Sequence, residues 1–212
     1  FSSSLSTSTV SSPRVGFLSG LFGESAVGNL ARGIIWPLHR KRLWVALISL
    51  GPLKKGSTGN EGTTTSKAAT TVMQALLDRA DHVEELTWAA ASPGSVTEVK
   101  MARQKIQDLD LKFLIFLEIG LDVRSFVLAH SRLCAFQLAT YGHASTTGIA
   151  TVDFFLSVEA FESHENAGLY SEQLITLPGL PYFLPTTSLD ATTSSSWERW
   201  KMMLEDAGIE RK

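Results

Sequence analysis

The chain has 212 residues, 44% of them hydrophobic, and a formal net charge of -2. That is enough apolar material for one sizeable core. The near-neutral charge gives no electrostatic reason to expect nucleic acid or an anionic membrane as a partner. A lone cysteine, Cys134, cannot staple the fold and has no thiol partner for a metal site. It fits a reducing compartment, so the cytoplasm or nucleus is the expected location. No apolar run approaches the length of a membrane span.

Residues 1–13 are dominated by Ser and Thr and read as a flexible linker, with too little apolar surface to offset ordering. Arg14–Ser19 reads as a buried strand. A glycine-rich turn follows, then a helical pattern from Val27 to His39. Free N–H groups at such a helix start favour anions. The spacing is not G-x-G-x-x-G, so the alternatives are an anion-binding turn and a plain tight turn. His39-Arg40-Lys41-Arg42 is either a cationic helix end or a binding patch.

Leu43–Leu50 is a continuous apolar run, as expected of a strand covered on both faces. Gly51–Thr65 lacks the ordered phosphate-loop pattern and reads as a flexible surface insertion. Ser66–Ala80 is an amphipathic helix, with Ala69, Val72, Met73, Leu76 and Leu77 on one face. A short strand over 81–86 contains His82, and Trp88–Pro93 is a loop. Ser95 and Glu98 form a capping box for a helix to Leu109.

Lys112–Ile119 is another buried strand, closed by Gly120, and Asp122 then caps a helix through Ser131. Glu118 and Asp122 flank that strand end. Two carboxylates there form either an acid/base pair or, more commonly, a cap and a solvated rim residue. A late-helix His130 has a packing or dipole role. His164 sits at a surface helix start, and a short amphipathic helix over Trp197–Ala207 ends at Gly208.

From Ala135 to Gly179 the pattern is strand, glycine-bounded polar loop, strand, short helix, strand. The loop Gly142–Gly148 carries His143 and three consecutive hydroxyl residues. Glycines there allow close backbone approach, and open α/β sheets place ligands at strand carboxyl ends. Strands near 14, 43, 82, 113, 136, 152 and 173 alternate with helical patterns, which argues an α/β domain with a mainly parallel sheet.

Tyr141-Gly142-His143-Ala144-Ser145-Thr146-Thr147-Gly148, then Val152-Asp153-Phe154-Phe155, Tyr170-Ser171-Glu172 and Leu177-Pro178, resembles the catalytic region of O-linked N-acetylglucosamine transferases and their SPINDLY-type and bacterial relatives. Two positions depart from that pattern: Thr140 stands near the family's Trp, and Ala144 replaces its Pro, freeing a backbone angle. Arg14–Ser19 with Phe22, Val27, Gly28 and Leu30 is similar to the family's opening motif, but Ser25 stands where a histidine normally lines the active site. A serine supplies no imidazole chemistry near neutral pH.

The resemblance implies a Rossmann-like half, residues 14–185, of a two-domain GT-B-type glycosyltransferase. Residues 186–212 are then a linker and C-terminal helix. It implies transfer of a sugar, with N-acetylglucosamine from a uridine nucleotide as the expected donor, to Ser or Thr hydroxyls. Guanosine-linked fucose remains an alternative donor. It implies no metal and no cofactor, an acceptor protein as partner, and a C-terminal catalytic half outside this chain. His82 aligns with a second family histidine and is the expected catalytic residue. Tyr141, Gly142, His143, Thr146 and Thr147 are the expected sugar contacts. The alternatives are a non-catalytic remnant or interaction module, favoured by Ser25 and Ala144, and, less well matched, a sugar-nucleotide isomerase.

Overall fold

A computed structural model describes residues 12–23, 25–38, 43–53, 66–88, 95–163, 165–180 and 182. The linker over 1–11, the basic cluster 39–42, the insertion 54–65, most of the loop 88–93, His164 and the tail 186–212 lie outside the described residues.

The strands are β1 (Arg14–Ser19), β2 (Trp44–Ser49), β3 (His82–Glu85), β4 (Phe113–Phe116), β5 (Phe136–Thr140), β6 (Phe154–Val158) and β7 (Gln173–Leu177). The helices are α1 (Ala26–Ile35), α2 (Ser66–Leu77), α3 (Val96–Asp108) and α4 (Val123–Ala129). The strands form one sheet in the order β3-β2-β1-β4-β5-β6-β7, and every pairing is parallel. The fold is therefore α/β and Rossmann-like, as the alternation of elements predicts. The short helix expected between β6 and β7 is two 3₁₀ turns, Glu159–Phe161 and Asn166–Leu169.

Strand alternation splits the core in two. Val15, Phe17, Val45, Leu47, Ile115 and Leu117 pack with α1 and α2 residues such as Leu30, Ile34, Val72 and Leu76. Leu18, Ala46, Ile48, Leu114 and Phe116 pack on the other face with Ala102, Ile106, Leu128 and Ala129 of α3 and α4. The central strands are apolar on both faces because helices cover both. Edge strands β3 and β7 alternate exposed and half-buried residues instead.

Helix starts follow the local chemistry. Ser95 accepts the Glu98 N–H while Glu98 returns to the Ser95 N–H, the reciprocal capping box the sequence predicts. The α3 helix gives way at Asp110, whose φ of 48° is the left-handed geometry that short polar side chains tolerate.

The β5–β6 connection rests on one buried amide. Gln137 is fully buried; its Oε1 accepts the Leu133 N–H at 2.6 Å and its Nε2 donates to the Thr151 carbonyl at 2.9 Å. Asp153, the motif aspartate, accepts the Gln137 N–H at 2.8 Å and both guanidinium nitrogens of Arg132. Arg132 thereby holds the Asp153 carboxyl below its ordinary range.

Replacing Gln137 by Leu is expected to leave the buried Leu133 N–H and the part-buried Thr151 carbonyl without these partners. Urea denaturation should then show a loss of roughly 2–4 kcal/mol; a loss below about 0.5 kcal/mol, the scale of neutral surface changes, would contradict this account.

Candidate functional site

In an open parallel sheet a crevice forms where neighbouring strands send their connections to opposite faces. Here that happens between β1 and β4. The chain leaves β1 into α1 on one face and leaves β4 into α4 on the other. The carboxyl ends of these strands present Ser19, Gly20, Glu118 and the α4 cap at Asp122.

Glu118 is the unusual member. It is 0% exposed. Its Oε1 accepts the Gly20 N–H at 2.5 Å, tying the end of β1 to the end of β4. Its Oε2 is buried with no hydrogen-bond partner among the described residues. Burial pushes the Glu118 carboxyl up to about 7, against the Gly20 N–H and the Ser19 hydroxyl, which favour the charged form. The expected solvated rim residue is thus corrected: a carboxylate that ends an unbroken apolar strand is drawn inside with it.

Asp122 is the cap, as expected. Its Oδ1 accepts the Arg124 N–H at 2.8 Å. The Arg124 guanidinium returns to both Asp122 oxygens, at 3.0 and 2.5 Å, and donates to the Leu50 carbonyl at the end of β2. Burial raises the Asp122 carboxyl, but the Arg124 hydrogen bonds outweigh it and hold it below its ordinary value. Arg124 therefore joins the ends of β2 and β4, and its charge is already answered.

The start of the polar loop after β5 lies beside this crevice. A Cβ at Gly142 would stand 1.8 Å from the Leu117 carbonyl oxygen, so only glycine lets the loop lie this close to the end of β4. The close approach expected toward a ligand is made here to the chain's own backbone. Gly148, at φ 66°, supplies the left-handed turn back toward β6. The His143 ring packs over Gly120, 3.4 Å from where a Cβ would be. Tyr141 meets Phe161 edge-on at 5.9 Å; burial raises its phenol to about 12, and its hydroxyl has no partner among the described residues.

Thr146 and Thr147 are tethered. The Thr146 hydroxyl donates to Glu172 Oε2 at 2.7 Å and accepts the Ser171 N–H at 2.9 Å. The Thr147 N–H donates to Glu172 Oε1 at 2.8 Å, and its hydroxyl donates to the same oxygen. Glu172 is 6% exposed; burial raises its carboxyl, but the Thr147 and Thr146 hydrogen bonds outweigh it and leave it below its ordinary value. The motif's Tyr-Ser-Glu thus anchors the motif's Thr-Thr.

The structure brings Tyr141, Gly142 and His143 to the crevice, with Thr146 and Thr147 holding the loop. It does not bring His82 there. His82 opens edge strand β3 and pairs with Ala46, three residues before the end of β2. At roughly 3.3 Å per residue that is about 10 Å below the carboxyl edge. Its ring stacks on Trp44, 5.9 Å away, at the amino end of β2, and its Nε2 lies 3.5 Å from Glu84. Ser25 is fully used as the α1 cap, donating to the Leu21 carbonyl at 2.7 Å and accepting the Gly28 N–H at 2.8 Å. Residue-type reasoning missed Arg124, because its Leu50 contact is 74 positions away in sequence.

Among the described residues no three His, Cys, Asp or Glu side chains group as a metal site would, and no helix is long and apolar enough to cross a membrane. No family model and no curated protein matches the sequence. Among solved structures the chain is similar to a K341M mutant of the Thermobaculum terrenum O-GlcNAc transferase, with a TM-score of 0.60 and 15% identity over 81% of this chain. The chain spans 28% of the length of that protein. The chain thus shares a Rossmann-like α/β fold with part of that structure.

Glu118 yields a stability prediction. Its folded value of about 7 lies above the 4.5 of a free side chain. Its contribution is therefore full below pH 4.5 and is lost as pH rises through about 7. Glu118→Gln should match the parent near pH 4.5 and exceed it by roughly 3 kcal/mol above pH 7.5, read by urea denaturation. A stability difference that does not change with pH would contradict the burial of an ionisable Glu118.

Proposed function

We propose that this chain is the acceptor-side and sugar-side half of a protein O-glycosyltransferase, acting on a nucleotide sugar and on Ser or Thr hydroxyls. The observation that carries this reading is the position of the loop Tyr141–Gly148. Within the stretch that resembles the transferases, Gly142 and His143 lie against Leu117 and Gly120, just past the end of β4 and beside the crevice.

In the proposed reaction the acceptor hydroxyl oxygen bonds to the anomeric carbon as the carbon–oxygen bond to the nucleotide diphosphate breaks. The diphosphate departs with the bonding pair, and the hydroxyl proton passes to an oxygen of the departing diphosphate. The departing charge requires fixed cations or donors. Arg124 is committed to Asp122 and Leu50, so this reading assigns the diphosphate to the second half, outside this chain. Tyr141, Gly142 and His143 face the sugar, and the Glu172 tether holds their loop in place. N-acetylglucosamine from a uridine nucleotide is the donor to try first.

One observation favours a second reading, a non-catalytic module of the same fold. The Ser25 hydroxyl, at the position where the resemblance expects a histidine, is consumed in the α1 cap.

The two readings separate in a transfer assay on the natural full-length protein with labelled uridine diphosphate N-acetylglucosamine and guanosine diphosphate fucose. The transferase reading expects label on acceptor Ser or Thr and a roughly tenfold fall in kcat/KM for His143→Ala, the scale of one lost hydrogen bond. Absence of both transfer and nucleotide-sugar binding would establish the non-catalytic reading instead.

A further inference from the structure

The β1–α1 turn is where a Rossmann-like domain ordinarily receives a phosphate, on exposed N–H groups at a helix start. In this chain two N–H groups of that turn, those of Gly20 and Gly28, are taken by side chains. The Gly20 N–H is held by Glu118, the Gly28 N–H by the Ser25 hydroxyl and the Asn29 N–H by the Ser25 carbonyl. The acceptor at this turn is the chain's own carboxyl group. Asp122 stands beside it: a Cβ on Gly20 would lie 2.8 Å from Asp122 Oδ2. A phosphate entering here would meet two carboxylates, with the nearby Arg124 already paired to one of them.

What the crevice floor offers instead is Glu118 Oε2, buried and without a partner among the described residues. A buried oxygen of this kind is costly until a donor reaches it. Gly20, whose N–H donates to the other oxygen of the same carboxyl, is itself exposed.

We propose that Glu118 is a ligand-binding residue of the crevice, whose Oε2 accepts a hydroxyl of an uncharged, sugar-class ligand, and that the same carboxylate keeps phosphate out of the β1–α1 turn. This rests on the glycosyltransferase reading and names the ligand chemistry of its crevice. The ligand hydroxyl donates, so the ionised carboxylate is the stronger acceptor. The groups facing Glu118 are Ser19 from β1 and Asp122 and Arg124 from α4, with His143 over the adjacent Gly120.

The test is an amide NMR titration of the 212-residue chain with N-acetylglucosamine and, separately, with inorganic phosphate. The sugar is expected to move the amides of Gly20 and residues 117–121 together with those of the loop 141–148. Its affinity should rise about fivefold between pH 5.5 and 8.5, the difference between a neutral and a charge-assisted hydrogen bond. Glu118→Gln should weaken binding by a similar factor and abolish the pH dependence. His143→Gln should retain the pH dependence, which ties it to Glu118. Should the amide variant fail to fold, Glu118→Asp keeps the acid on a shorter arm and is expected to bind more weakly with the pH dependence intact.

Sugar binding at the loop with the same affinity and pH profile in Glu118→Gln overturns the role of Glu118 and leaves the glycosyltransferase reading standing. Phosphate shifting Gly20 and competing with the sugar overturns the exclusion of phosphate. No sugar-dependent shift at either segment removes both.

Discussion

The hydrogen bond from the Gly20 N–H to Glu118 is the contact on which the crevice depends. At 2.5 Å it joins the ends of β1 and β4 at the place where the sheet sends its connections to opposite faces. It continues the β1–β4 pairing one step beyond the bond from the Leu117 N–H to the Leu18 carbonyl. Arg124 extends the tie sideways to the Leu50 carbonyl at the end of β2. Gly142 extends it the other way, laying the β5 loop against Leu117. Four strand ends are thereby held in one register, and any ligand at this edge meets a preformed surface.

Two buried glutamates show how environment sets opposite roles for one side chain. Glu118 has one oxygen satisfied and one without a partner, so burial dominates and favours the neutral acid. Glu172 receives the Thr147 N–H and two threonine hydroxyls, so it stays a carboxylate. The first is poised to exchange a proton or a hydrogen bond. The second is a structural anchor, and its hydrogen bonds explain why a hydroxyl-rich loop can sit in one conformation without proline at Ala144.

Much of the fold is legible in the sequence because its signals are local. The apolar runs of β1 and β2, the Ser95–Glu98 box and the Asp122 cap each depend on neighbours a few residues away, and each is where the pattern puts it. The site is less legible because its contacts are long-range. Glu118 reads as a rim residue when only its charge is considered; the apolar residues on both sides of it carry the opposite message. Arg124 reaches Leu50, and Thr146 and Thr147 find Glu172, only after the sheet has assembled. His82 shows the converse. Its place in the order of motifs suggests a site residue, but a strand has two ends, and His82 stands toward the amino end, stacked on Trp44.

The central claim is that a buried, half-satisfied carboxyl forms the floor of the crevice. Carbon-13 NMR of the Glu118 side-chain carboxyl across pH tests it most directly, with the Gly20 amide followed in the same samples. The account predicts a midpoint near 7, with the Gly20 amide moving in step as the acceptor it touches gains a proton. A midpoint near 4.5, with Gly20 unmoved, would mean that Glu118 is a solvated side chain, and the crevice described here would not exist.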